Sequence, residues 1–439
     1  MLNVTDQLLR SLVLLASSAT VLTAPCINHT AVADQAAAAN TFRAAVGKLD
    51  ITPTGPAFLA GYSNNRRSFE AHDRLTARCL VVDRGKVRVA FVSCDLIGLP
   101  RFEIQRIRSL VKSVAPENVV IGGTHTHSGP DTLGMWGAVI TSSGVDQNWL
   151  EGVRAGIAAL VDRTADQLKP ASIRYANTTD VPKISKNIRI PRILDTELSV
   201  MQIVSADGAV PIATLVNYAC HPEILNNRQI TADFPHWLYE TVELGGGGEC
   251  IYFNGAQGGM ITADYDESTA PKGENWKAAE TIGNSLGTRV LEILKGSPTI
   301  PNPVLYFSKK VFTVPLENQR YLTLIKMKVF SGQPGPDGTL ETEVCRIGIG
   351  QGEFITIPGE ALPNVGFYLK RQMRGHPRFL LGLTNDFLGY ILTPEDFGLN
   401  LYGYESGQSV GSSIEPLMIS NQKALISASA QDDAEGVRH

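Results

Sequence analysis

Several functional classes are closed to this 439-residue chain by what it lacks. Its 39 Lys and Arg are outnumbered by 43 Asp and Glu, leaving a net charge of −4 spread along the chain, so no basic stripe exists for a phosphate backbone and no nucleic acid partner is expected. Beyond the N-terminal stretch no apolar run has the length of a bilayer span, so a transmembrane segment is not expected either. The six cysteines (Cys26, Cys79, Cys94, Cys220, Cys250, Cys345) lie far apart with no C-x-x-C, which excludes a disulfide framework and a thiolate zinc knuckle. Cys79 and Cys94 flank two strand-like runs, where they either face each other or stay buried as small apolar thiols. A Gly-x-Ser-x-Gly elbow is also missing, since Gly403-Tyr404-Glu405-Ser406-Gly407 carries its serine one place too late, and a metal-independent serine hydrolase is set aside. No internal repeat and no Pro-, Gly- or Ser-rich linker divides the sequence.

What is present begins with Arg10 and a charge-free, largely apolar run from Ser11 to Ala24, followed by Ala31-Val32-Ala33 as a cleavage signature. This pattern predicts a leader over residues 1–42 and a secreted or periplasmic protein. Ordered sequence is expected over 43–430, with a disordered tail at 431–439. Leu80 to Asp83 and Val87 to Ser93 read as a hairpin about Arg84-Gly85-Lys86; Phe102 to Val114 has helical spacing; Val119 to Ile121 is a short apolar strand opening into Gly122-Gly123. Further on, Trp149 to Leu168, Pro235 to Leu244 (capped near Asp233) and Trp276 to Leu294 read as helices, and Leu198 to Ile203, Val210 to Tyr218 and Cys250 to Phe253 as strands. Short strands and turns follow, up to a last helix near Ser413 to Ala428. Interleaved helices and strands predict an α/β class fold, with mixed α+β layers around a mixed β-sheet in a single large domain.

The strongest chemical signal is Gly123-Thr124-His125-Thr126-His127-Ser128-Gly129-Pro130 at a strand end. Side chains at i and i+2 of a strand share a face, so His125 and His127 can converge on one metal or on a metal and its substrate. A metallo-β-lactamase would continue with an Asp and a His where Ser128-Gly129-Pro130 stands, and the hairpins do not suit a TIM-barrel amidohydrolase. His221 follows another strand, Glu360 stands in the turn Ile357-Pro358-Gly359-Glu360, and Tyr390 closes Asn385-Asp386-Phe387-Leu388-Gly389-Tyr390. Singly, each has an ordinary explanation: a structural histidine, a solvated carboxylate, a buried aromatic.

Together these segments resemble the catalytic N-terminal domain of the neutral/alkaline non-lysosomal ceramidases. The likeness is carried by Val46-Gly47-Lys48-Leu49-Asp50-Ile51-Thr52-Pro53 with Gly61-Tyr62, by His72 to Arg78, by the Thr-His-Thr-His-Ser-Gly-Pro string, by the Pro-Gly-Glu turn and by Asn385 to Phe397. It implies a zinc ion held by His125, His221, Glu360 and Tyr390, with His127 beside it in contact with the substrate. It implies further that Arg189 and Tyr404, with Tyr402 as competitor, line the pocket. The substrate would be a small-molecule or lipid amide, cleaved by zinc-activated water, with a peripheral membrane contact in reach. The loop Asn254-Gly255-Ala256-Gln257-Gly258-Gly259 leaves a strand and is expected to offer backbone oxyanion donors at Asn254, Gly255 and Gly258.

Two departures from the family stand out. Its loop carries an Asp and an active-site serine where this chain has Ala256 and Gly258, and no serine occurs from Asn254 to Asp264, leaving Ser128 or Thr262 as stand-ins only if the loop is rearranged. The sequence also lacks room for the family's C-terminal immunoglobulin-like domain after Tyr404. An amidase of unspecified substrate is therefore the leading expectation, and a catalytically silent, metal-containing lipid- or sugar-binding protein the alternative.

Overall fold

A computed structural model describes residues 40–329, 334–335 and 337–434. The leader expected over 1–42 lies outside the described residues as far as residue 39, as do Cys26 and the last residues of the expected tail. No helix among the described residues is long and apolar enough to cross a membrane.

The main sheet takes its strands from β-branched runs bounded by turns: β1 (Arg43–Asp50), β2 (Thr76–Arg84), β3 (Val87–Cys94), β4 (Val119–Gly123), β5 (Lys169–Thr178), β6 (Leu198–Ser205), β7 (Pro211–Tyr218) and β8 (Glu249–Asn254). Their order is β8-β7-β6-β5-β1-β2-β3-β4. Only the two outermost pairs, β3/β4 and β7/β8, are parallel, and each is closed by a helix crossover: α1 (Arg101–Leu110) and α3 (Phe234–Leu244). Parallel neighbours need such a crossover, which leaves loops at the strand ends free to carry a site. The hairpin β2/β3 turns at Gly85, whose φ of 62° suits a two-residue connection.

The sheet curls until its edges meet. Ser93 Oγ donates to the Tyr252 carbonyl, and Asn254 Nδ2 donates to Thr124 O at 3.2 Å. On the outer face of one half lie α1 and α2 (Gln147–Ala165), the latter capped by Asp146 accepting from the amides of Asn148 and Trp149. On the other half lie α3 and α4 (Trp276–Leu294), capped by Asp233 and Asn275. The inner face packs Phe91, Leu215 and Phe253 against a second sheet, β9 (Leu305–Pro315), β10 (Thr339–Ile349), β11 (Gly352–Thr356) and β12 (Arg378–Leu381), through Cys345, Phe354 and Phe379. Helices α5 (Gln319–Lys326), α6 (Pro363–Gln372) and α7 (Ile414–Ala434) attend this second sheet, and α7 runs into the segment expected as a tail.

The mixed layers are those expected. Four differences are local: α1 stops at Leu110 because Val111 turns extended, while α5, α6 and strand β5 had too weak a period to be read. The five described cysteines are free and buried, so Cys79 and Cys94 are the small apolar thiols of the two alternatives.

Candidate metal centre and its cavity

Beyond β4 the chain enters a tight turn in which His125 adopts φ 75°, a conformation costly for a residue with a Cβ. That turn, not strand alternation, brings the histidines together: ring centroids are 4.9 Å apart for His125 and His127, 4.9 Å for His125 and His221, and 5.7 Å for His127 and His221. The hydroxyls of the Thr-His-Thr-His-Ser string hold the turn to the loop after β7. Thr126 Oγ1 donates to Thr231 O (2.8 Å), Ser128 Oγ to Leu225 O (2.9 Å), and the His127 amide to Pro222 O (3.0 Å). With its hydroxyl committed and fully buried, Ser128 is no replacement for the family serine.

Each of the two outer imidazoles is oriented by a backbone carbonyl. His125 Nδ1 lies 2.7 Å from Ile97 O and His221 Nδ1 lies 2.7 Å from Ile261 O, so both Nε2 atoms face inward. They meet Glu360 Oε2 at 3.4 Å and 3.1 Å. Glu360 itself stands opposite Tyr390 in a short parallel pairing, Glu360–Ala361 with Tyr390–Ile391. Two residues 30 positions apart thus become neighbours through strand register. Tyr390 is buried, and its hydroxyl lies 4.0 Å from Met260 Sδ. Ligand atoms of His125, His127 and His221 all lie within 4.8 Å of one another.

Burial would push the Glu360 carboxyl up, but the His125 and His221 imidazoles outweigh it and hold the group well below the ordinary carboxylate range. Burial depresses His221 in turn, yet Glu360 and Glu223 raise it to about 9. His127 is driven well down, by burial first and then by the other two imidazoles. Both of its ring nitrogens are buried without a hydrogen-bond partner among the described residues, although Glu223 Oε2 approaches Nδ1 to 3.7 Å. Burial and then Glu360 keep the Tyr390 phenol far above its usual value.

Of these groups, His125, His127, Glu360 and Tyr390 line a cavity of about 220 Å³ and form its floor. One wall is apolar, Ile97, Met135, Trp136 and Phe387; the other is Arg320, Tyr321, Tyr404 and Gln408. Tyr404 lines the cavity and stacks edgewise on Tyr390 at 5.9 Å, whereas Tyr402 is buried and is not in the lining. Arg189 is a correction. Its guanidinium is not in the lining but grips the fully buried Glu405 carboxylate in a bidentate pair of 2.7 and 3.1 Å, anchoring the segment next to Tyr404.

The glycine loop is a second correction. The Gly255 amide donates to Tyr218 O (3.1 Å) and the Gly258 amide to Ala361 O (2.9 Å), so neither is free for an oxyanion. Asn254 spends its side chain on Cys220 and Thr124. A Cβ at Gly258 would stand 2.3 Å from the Glu360 carbonyl oxygen. The loop is a cushion under Glu360. Sequence reasoning missed Arg66, which donates to the His127 and Ala60 carbonyls from a buried site, and Arg320, an unremarkable surface arginine until its helix is docked. Gly61 gave a signal for Tyr62: a Cβ there would meet the His127 ring at 2.4 Å.

Two imidazoles and a carboxylate, buried at strand ends and oriented by carbonyls, are the construction with which α/β proteins hold a divalent ion. Residues 42–234 match the family model "Neutral/alkaline non-lysosomal ceramidase, N-terminal", and the resemblance carried by the motifs is thereby shown. Neutral ceramidase of Drosophila melanogaster is 30% identical over 217 residues, 44% of this chain and 31% of that protein; that of Pseudomonas aeruginosa is 24% identical over 188 residues, 38% and 28%. These alignments span about a third of the length of the curated relatives. The crystal structure of the Pseudomonas aeruginosa neutral ceramidase superposes with a TM-score of 0.73 at 18% identity, covering 89% of this chain and 75% of that one. A ceramidase complexed with C2 superposes at 0.70 and 16% identity, covering 88% and 75%. The fold is that of the neutral ceramidases.

Proposed function

We propose that residues 43–430 form a zinc-dependent hydrolase domain that cleaves an N-acyl amide bond, in a protein exported by its leader. The observation that carries this reading is the convergence of His125 Nε2 and His221 Nε2 on Glu360 Oε2, each imidazole locked by a backbone carbonyl. The donor set fits zinc: two imidazole nitrogens turned inward by the carbonyl contacts of their rings, one carboxylate, and Tyr390 across the register from it. His125, His221, Glu360 and Tyr390 would hold the ion. A bound zinc ion would supply Lewis acidity to an amide carbonyl and lower the pKa of water to about 7.

The chain's own residues do the rest. His127, buried and kept neutral in the cavity lining, has one unprotonated ring nitrogen, unpartnered among the described residues, that would take a proton from attacking water and pass it to the departing amine. Tyr404 closes the opposite side, held by the Arg189–Glu405 pair next to it. Ile97, Met135, Trp136 and Phe387 exclude water from one flank, which strengthens each polar contact on the floor.

Gly258 favours the second reading, a silent metal-containing binder, because the group that the family has there is absent and its space is filled. Metal analysis of the purified protein beside His125→Ala and His221→Ala, followed by turnover of short-chain ceramide and N-acyl amines, separates the two. Near-stoichiometric zinc and amide cleavage lost together in both variants is the expected result. Zinc without turnover supports the silent binder, and absence of zinc from the wild type overturns the ligand set.

A further inference from the structure

The cavity lining is held by two sets of hydrogen bonds. Trp136 Nε1 donates to Tyr62 O (2.9 Å) and Asn64 Nδ2 to Met135 O (3.0 Å), binding the apolar wall into one unit with the segment from Tyr62 to Asn64. Across from it, Tyr321 donates to the Gln408 carbonyl (2.8 Å) and Asn318 Nδ2 to that of Gly407 (3.1 Å), joining α5 to the segment bearing Tyr404. On this second wall stands Arg320, the one Lys or Arg in the lining, with its side chain exposed. It forms no ion pair among the described residues. The carboxylate nearest to it in sequence, Glu317, is turned away and held by the hydroxyls of Ser412 and Ser413. The single carboxylate in the lining, Glu360, is committed to His125 and His221.

A cavity of about 220 Å³ falls short of the roughly 300–1,000 Å³ of drug-sized ligand sites, so the part of a ligand that it holds is short. An uncompensated guanidinium facing an apolar wall is matched by a ligand with a compact apolar part and an anionic end, and arginine offers carboxylates two parallel hydrogen bonds. We infer that Arg320 is a specificity-determining residue that receives the carboxylate of the substrate, making the preferred substrate a short N-acyl amino acid. This rests on the amidase reading for the reaction but not for the binding. The scissile amide would lie toward the His125 and Glu360 floor, with the amino acid's side chain against Trp136 and Phe387.

Calorimetric titration of the full-length, zinc-supplemented protein with N-acetyl-L-phenylalanine and with its uncharged analogue N-acetyl-L-phenylalaninamide tests this directly. The acid is expected to bind at least about tenfold more tightly, Arg320→Ala to remove that preference while leaving the amide's affinity, the zinc content and the melting temperature unchanged, and Arg320→Lys to restore it in part. Equal affinities in the wild type, or an Arg320→Ala variant that weakens both ligands alike, would overturn the inference. Hydrolysis assays on the same pair separate it from the amidase reading. Preferential binding without cleavage removes the amidase and keeps the anion site, and cleavage of both compounds at equal kcat/KM does the reverse.

Discussion

At Gly258 the backbone passes beneath Glu360 so closely that the Glu360 and Ala361 carbonyls occupy the space a side chain would need. Gly258→Ser is therefore expected to lower stability by about 1–3 kcal/mol, as overpacked cores do, and to leave amide turnover no higher than wild type. Denaturant unfolding alongside the amide assay checks both; a stable, faster variant would refute the packing argument. Asp233 caps α3 from a fully buried position, accepting from the Leu225 and Phe234 amides. Burial, with the Asp73 and Glu223 carboxylates facing it, raises its pKa to about 7. The folded state then holds a proton that the unfolded chain has released above about 4, so this group's stabilisation is full below that pH and is lost as pH rises toward 7. Asp386, raised by burial to about 6, adds a smaller effect of the same sign. Melting temperatures of Asp233→Asn measured from pH 4.5 to 7.5 are expected to vary less with pH than those of wild type. At this scale residue type and motif single out His125, His221, Glu360, Tyr390 and Tyr404, which the structure brings together and to which the roles above are proposed. The sequence was not legible for Arg189 or the loop amides, because a hydrogen-bond partner such as Glu405 or Ala361 is fixed only by tertiary docking.

Among the elements, β7 carries the joint between the two sheets. Asn217 Nδ2 donates to the carbonyls of Phe253 (2.9 Å) and Leu380 (2.8 Å), while its Oδ1 accepts from the Leu380 amide (3.0 Å). Asn217→Ala leaves those groups unsatisfied in the interior and is expected to cost about 3 kcal/mol. Because His221 and Glu360 lie on opposite sides of that joint, zinc affinity should fall with it, which competition against a chelating dye would measure. If stability drops while affinity holds, the joint does not position the centre. The strands and helices with strong apolar periods, β2, β3, β4, β7 and α4, were read within a few residues of their ends. By contrast β5 alternates polar positions and is fixed by pairing with β1 and β6, while α5 and α6 are short helices docked beside the second sheet, and sequence period carries no information on either. The pairing of Glu360 with Tyr390 is likewise a matter of register between distant segments.

For the molecule as a whole, the proposed metal centre would draw two residues from the main sheet's loops and two from the short pairing Glu360–Ala361 with Tyr390–Ile391. An ion that binds only this assembled form stabilises it by mass action, about 4 kcal/mol at a thousandfold excess over Kd. Chelator treatment is expected to lower the wild-type melting temperature and to leave that of His221→Ala unchanged; identical chelator responses would mean that the ion is not held there. Order of synthesis adds a further condition. The chain emerges from its N-terminal end, so both imidazoles leave the ribosome long before Tyr390 does. A nascent chain halted short of that residue carries the histidines and their supporting carbonyls but lacks one member of the proposed centre, so full occupancy of that centre would report that translation has passed residue 390 and that both sheets have docked.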